Sequence, residues 1–519
     1  MKRTASANLL LAGLLVLALV APCAAAADDW KPPDPCTPPA LPPPGTHTMS
    51  AEAKLLTDPV PPQWFGPEPC YPEAYDPQAQ LDIYGSKHAN PNPTGVPPVE
   101  LGIRLYDRGA YTPRPTWLGA KNPINFGFMS YGDLRLVAAD YDNGGSGTNG
   151  QQSAVAARLN LDMDLQLTAT ERFHAFTRPL DKNGSFTRYA INGAVDDKFI
   201  HNFDFNLDSL FFEGDLGNIT AGWRDKPSRF DMPIALGRFP FVTQNGIWFE
   251  DTFDGAAATI AAKNFPSLDI SNMDVTFFAG FRKVTTAAIT NSDDKTKLFG
   301  LAGFADMRKG YVEYGYGYVK ADDDNLSYHN VTAAFSRRYK GRLSNSIRVI
   351  GNFGQKGDPG KSKTADGVLL LVENSLTPKY LPWGNQLNFV PYLNLFAGFN
   401  SPQSLARGGD SGGVLRNTGL NFESDGVTRY PTLDATAHDT FGGSLGLEYL
   451  FDLAHQIVVE GSVVQRRGDS PLPGNEYGIG ARYQHPFTKD LIIRFDAMKG
   501  WRQGQQDVYG VRAELRLKF

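Results

Sequence analysis

The closing stretch Tyr509-Gly510-Val511-Arg512-Ala513-Glu514-Leu515-Arg516-Leu517-Lys518-Phe519 decides the fold. Tyr509, Val511, Ala513, Leu515, Leu517 and Phe519 fall on one parity, and Arg512, Glu514, Arg516 and Lys518 on the other. A period of two is that of a β-strand with one oily and one charged face. A strand of a soluble sandwich can alternate as well, but it would rarely supply the last residues of a chain and end on Phe.

The same parity recurs upstream. Leu491, Ile493, Phe495 and Ala497 oppose Arg494 and Asp496, and Tyr477, Ile479, Ala481 and Tyr483 oppose Arg482. Ile457, Val459 and Val463 oppose Glu460, while Phe441, Leu445, Leu447 and Tyr449 oppose Glu448. Leu159, Leu161, Met163, Leu165 and Leu167 oppose Asn160, Asp162, Asp164 and Gln166. Further strands are expected over Met273 to Phe281 and Tyr311 to Lys320. Phe451 to His455 and Pro486 to Lys489 are short links; Arg467 to Asn475, Gly500 to Gln506 and above all Ser401 to Asp439 are longer and more polar. Short turns at one end and long loops at the other belong to an outer-membrane barrel. Tyr449, Phe451, Tyr483, Phe487, Trp501, Tyr509 and Phe519 stand near strand ends, where interfacial aromatic girdles belong.

Composition bounds the alternatives. The chain has 519 residues, 41% hydrophobic and 20% charged, with 53 Gly, 33 Phe and 21 Tyr. Its mean hydropathy of -0.31 resembles that of a soluble protein, yet an average is blind to two opposite faces sharing each strand. Past the N-terminus no stretch approaches the ~20 apolar residues of a membrane-spanning helix. A formal charge of -5 gives no reason to expect nucleic acid as a partner.

Three regions follow. Residues 1–27 read as a secretory signal: Lys2 and Arg3, an apolar run from Leu9 to Val20, then Ala24 to Ala27. Residues 28–98 hold 19 of the 37 prolines and are expected to be a periplasmic segment, either a semi-rigid spacer or a docking strap for a periplasmic protein. Cys36 and Cys70, an even pair in an exported chain, are expected to form a disulfide. Residues 99–519 are expected to be all-β, a transmembrane antiparallel barrel. Phe126 to Phe519 is 394 residues; at roughly 22–25 residues per strand and connection this gives about 16–18 strands.

Through its signal, alternating strands and terminal Phe519 the chain resembles a Gram-negative outer-membrane porin. A weaker resemblance is to the alginate-export type of barrel, carried by Tyr131-Gly132-Asp133-Leu134-Arg135-Leu136, by Leu165-Gln166-Leu167-Thr168-Ala169-Thr170-Glu171, and by Leu236-Gly237-Arg238 with Phe253-Asp254-Gly255-Ala256. That type lines a selective conduit with basic residues, but Arg238 has the parity of Ile234 and Leu236, and acids are mixed among the bases. The resemblance implies an outer-membrane location and passive passage of small hydrophilic or charged solutes. The expected lining is Asp133, Arg135, Asp162, Asp164, Glu448, Glu460, Arg482, Arg494, Asp496, Arg512, Glu514 and Arg516. The alternative is a barrel that sheathes or docks an electron-transfer protein or polysaccharide-export machinery. Outer-membrane lipid is an expected partner, and a homo-oligomer is compatible with the pattern.

Enzyme motifs carry little. Gly409-Asp410-Ser411-Gly412-Gly413 imitates a serine-hydrolase nucleophile stretch, but none of the eight His has the matching sequence setting. Lys356 to Ser362 imitates the end of a phosphate loop without its first Gly or following helix. Asp140 to Asn143 and Asp322 to Asn325 read as solvated turns before they read as calcium loops. No cofactor, metal site or catalytic residue is expected.

Overall fold

A computed structural model describes residues 99–101, 116–119, 121–145, 151–182, 185–192, 198–289, 294–357, 362–377, 388–408, 413–423, 430–451 and 455–519. The expected signal, the whole Pro-rich segment 28–98 with Cys36 and Cys70, and Ser411 lie outside them. The described residues make an all-β, closed barrel of 18 antiparallel strands. Closure joins the first long strand, Gly127–Asp142, to the last, Val508–Lys518, with Asp133 beside Lys518 and Asp142 beside Tyr509. Phe519 exchanges two backbone hydrogen bonds with Gly132, at 3.0 and 3.1 Å. A Cβ on Gly132 would meet the Asn160 carbonyl and the Phe519 ring, so a larger residue there would push the seam apart.

One strand of the wall is interrupted. Arg172–Thr177 pairs with the lower half of Gln151–Gln166 and Ser185–Asn192 with its upper half. Pro179, which has no backbone donor, stands in the excursion between them.

The two faces separate as strand parity dictates. Leu136, Leu445, Leu447, Ile479, Val511 and Leu517 are exposed on the outside, whereas Asp496, Arg512 and Glu514 are buried on the inside. A closed barrel leaves no sheet edge, so this apolar exterior can face lipid without stranding backbone groups. Phe451, Phe487 and Phe519 are exposed at the short-turn end and Trp501 and Tyr509 at the other, as rims at two interfaces require. Arg238 is an exception to the apolar exterior. It lies between outward Leu210 and Asp254, and its guanidinium grips Asp254 with two bonds, at 2.6 and 3.1 Å.

Inside the long-loop end the barrel is packed. Phe239, Phe249, Phe253 and Phe278 cluster there with Ile247, Trp248, Leu405, Leu415, Phe422 and Leu433. The segment between Phe389–Ser401 and Thr440–Leu450 reads as an outer loop by its Gly, Asp and Asn content, but it turns back into the barrel. Its Leu405, Leu415, Phe422, Leu433 and Ala437 are almost wholly buried, and these scattered apolar anchors, too few for a strand pattern, drive the insertion.

Candidate constriction

The inserted segment 402–439 is held at both sides of the interior. On one side Ala406–Arg407 adds a short parallel pairing to Phe249 and Glu250 of the strand Phe249–Phe265. Leu405 N–H donates to the Trp248 carbonyl at 2.8 Å and Ser404 Oγ to the Ile247 carbonyl at 2.7 Å. Arg407 donates to the carbonyls of Gly246 and Gly413. On the other side the carboxylate of Glu460, on Gln456–Arg466, accepts Leu420 N–H at 2.8 Å, Asn421 N–H at 2.9 Å and Tyr392 Oη–H at 2.6 Å. Glu476 accepts Asp434 N–H at 2.7 Å, and Tyr430 Oη donates to the Gly510 carbonyl at 3.0 Å.

Glycines make room for this contact. A Cβ on Gly480 would stand 2.4 Å from Asn421 Oδ1, one on Gly510 2.8 Å from the Tyr430 ring, and one on Gly478 3.0 Å from Leu433. On the far wall, Gly315 and Gly317 leave equivalent space for Trp248 and Leu405. These five strand glycines therefore serve the close approach of side chains packed inside the barrel.

Arg482, Arg494, Asp496 and Arg512 form one network where the segment meets the wall. Arg482 Nε and Arg494 Nε donate to Asp496 at 2.7 and 2.9 Å, and Arg512 reaches the same carboxylate at 2.7 Å. The segment brings Glu423 to Arg482 at 2.7 Å and to Arg494 at 3.7 Å, and the Tyr430 ring under the Arg512 guanidinium at 5.2 Å. Burial alone would raise the Glu423 carboxyl, but the two arginines hold it below the usual carboxylate range. Leu420, Asn421 and Met498 line a small pocket together with Glu423, Arg482, Asp496 and Arg512.

Glu514 and Arg516 lie next to this group. Arg516 donates to Glu514 at 2.7 Å and stands 3.8 Å from Asp133, which Arg135 also contacts. Asp162 and Asp164 flank His174, at 3.3 and 2.7 Å. Glu448 faces inward beside Val390 and Val458, away from both groups.

Three elements of the interior escaped the sequence pattern. Arg348 is buried between Glu373 at 3.2 Å and Glu313 at 3.6 Å; strand parity around Leu343–Phe353 could have signalled it. His174 has inward parity next to Phe173 and Ala175, a cue available in the short run Arg172–Thr177. Glu423 carries no local cue, since its role comes from the folding-back of the whole segment.

No protein-family model matches the chain, and no curated protein is similar to it at a significant level. Solved structures are informative about the fold. OccAB4 of Acinetobacter baumannii superimposes with a TM-score of 0.51 at 8% identity, covering 75% of this chain and 97% of that one. The fold is that of an outer-membrane porin. The outer membrane protein OpdK of Pseudomonas aeruginosa follows at a TM-score of 0.48 and 11% identity, over 75% of this chain and 98% of that one. OccK5 of the same organism has a TM-score of 0.46 at 11% identity, over 76% and 98%.

Proposed function

We propose that the protein is a passive outer-membrane channel for small hydrophilic or charged solutes. The observation that carries this reading is the ion-paired contact between the inserted segment, through Glu423, and the wall at Arg482 and Arg494. A barrel wide enough to need a folded-in segment has an interior whose cross-section that segment sets, and selection is then by width and by the field of the lining charges. Asp133, Arg135, Asp162, Asp164, Glu448, Arg482, Arg494, Asp496, Arg512, Glu514 and Arg516 are the lining we assign to the solute path, whereas Glu460, expected there from parity, is fully buried under the segment it tethers. Apart from Glu448, each of these charges stands in an ion pair, so a solute there exchanges one partner of an existing pair for itself.

Discrete conductance steps from full-length protein in a planar bilayer test the reading. Absence of conductance together with a co-purifying periplasmic protein would favour the sheath or docking alternative.

A further inference from the structure

The largest exposed aromatic side chains of the short-turn end sit outside the strands, on an element that the channel does not use. The helix Leu216–Arg224 follows the strand Leu207–Asp215. Asp215 caps its start, accepting Asn218 N–H at 2.7 Å through one oxygen and Met232 N–H at 2.7 Å through the other. The excursion 216–232 is thus pinned at its base. Gly222 packs against the backbone of Leu118 and Gly119: a Cβ on Gly119, which has φ +97°, would stand 1.9 Å from the Gly222 carbonyl oxygen. Trp117 and Trp223 flank this contact and are 77% and 76% exposed, with Leu118 and Phe230 exposed beside them.

This element lies on the outer side of the wall. Asn122 donates to Glu171 at 2.8 Å. Glu171 Cγ approaches the side of Gly214 that the Phe212 ring also covers, and Phe212 packs on exposed Phe173 at 5.4 Å. The inward neighbours are different: Phe211 packs on buried Phe239, and Glu213 on Arg172. The patch therefore continues the apolar exterior at the periplasmic rim. Its charge is of one dominant sign, because Lys121, Arg224, Lys226 and Arg229 are exposed against Asp225 and Asp231.

We propose that Trp117 and Trp223, with Leu118 and Phe230, form an interfacial foot that binds anionic glycerophospholipid of the periplasmic leaflet. Tryptophan settles at headgroup level, where its ring is half in hydrocarbon and its N–H in water. Basic residues beside such an apolar face draw anionic headgroups, with enrichment of roughly fivefold for each uncompensated basic residue near the surface. The close Gly119–Gly222 contact fixes the two tryptophan-bearing segments as one unit, so both rings engage together.

The test uses the full-length protein in phosphatidylethanolamine vesicles carrying bromine-labelled acyl chains on either phosphatidylethanolamine or phosphatidylglycerol. Tryptophan emission is compared between the wild type and the variant Trp117→Phe/Trp223→Phe, with heat-modifiable gel migration confirming a folded barrel. The foot requires that the emission assigned to these two residues be quenched by brominated lipid, severalfold more by the phosphatidylglycerol label. Arg224→Gln/Lys226→Gln, which leaves both rings, is expected to abolish that preference. Quenching of this emission by aqueous iodide but not by either lipid would overturn the proposal and leave the patch for a periplasmic protein. Equal quenching by the two labelled lipids would overturn its anionic preference.

Discussion

Glu423, on a segment with no strand pattern of its own, lies 2.7 Å from Arg482 on the barrel wall. The pair is partly open to solvent, with Glu423 at 36% side-chain exposure, so its direct contribution is on the order of 1 kcal/mol or less. Its importance is positional, because it ties the inserted segment to the barrel wall.

Replacing Glu423 by Gln keeps shape and removes the charge. Arg482 and Arg494 retain Asp496, so the wall is unaffected while the segment loosens. Single-channel recording should show a higher or noisier conductance, with barrel melting unchanged.

Acid should act through the same pair. The Glu423 carboxyl is held below the usual range in the folded protein, so its contribution is fully present above the unfolded value, ~4.3, and fades as pH falls through the lower folded value. Conductance of the wild type should therefore rise only in strongly acid solution, in a step that Glu423→Gln lacks. A pH series on both proteins checks it.

Glu460 is the stronger tether. It is fully buried and accepts two backbone N–H groups of the segment and the Tyr392 hydroxyl. Glu460→Ala leaves those donors without their acceptor, a cost of about 1–3 kcal/mol for each buried group. Hydrogen exchange at residues 415–423 should accelerate by at least tenfold, while exchange in the strands of the wall stays slow.

Gly480→Leu tests the bed. Its side chain would occupy the place of Asn421 Oδ1, so the segment must shift while the outward parity of the strand is untouched. Conductance should rise without loss of heat-modifiable migration.

Arg348 is the cation between Glu313 and Glu373. Arg348→Met leaves two facing acids, and reversal potentials in a salt gradient should move toward cation selectivity. Thermal unfolding should occur earlier, since removing one partner of a buried pair costs about 3–5 kcal/mol.

The barrel was legible because its information is local. In Tyr509 to Phe519 each residue's side of the wall follows from its parity, and Arg512 and Glu514 could be placed before any contact was known. The constriction was not legible, because it depends on distant partners. Nothing near Glu423 points to Arg482, and Gly480 reads only as a strand position on the face opposite Ile479 until Asn421 is seen against it. The polar composition of 401–439 points outward, and only the buried Leu405, Phe422 and Leu433 reveal the reverse. Arg238 shows parity holding where its chemistry suggests otherwise, since the residue stays outside and takes Asp254 with it.

Single-channel conductance of the full-length protein in a planar bilayer, compared with Glu423→Gln/Gly480→Leu, decides whether the inserted segment sets the width of a solute path. Discrete steps that scale with salt concentration, larger in the double variant, are expected. A barrel that inserts yet conducts in neither form, or steps identical in both, would contradict that role.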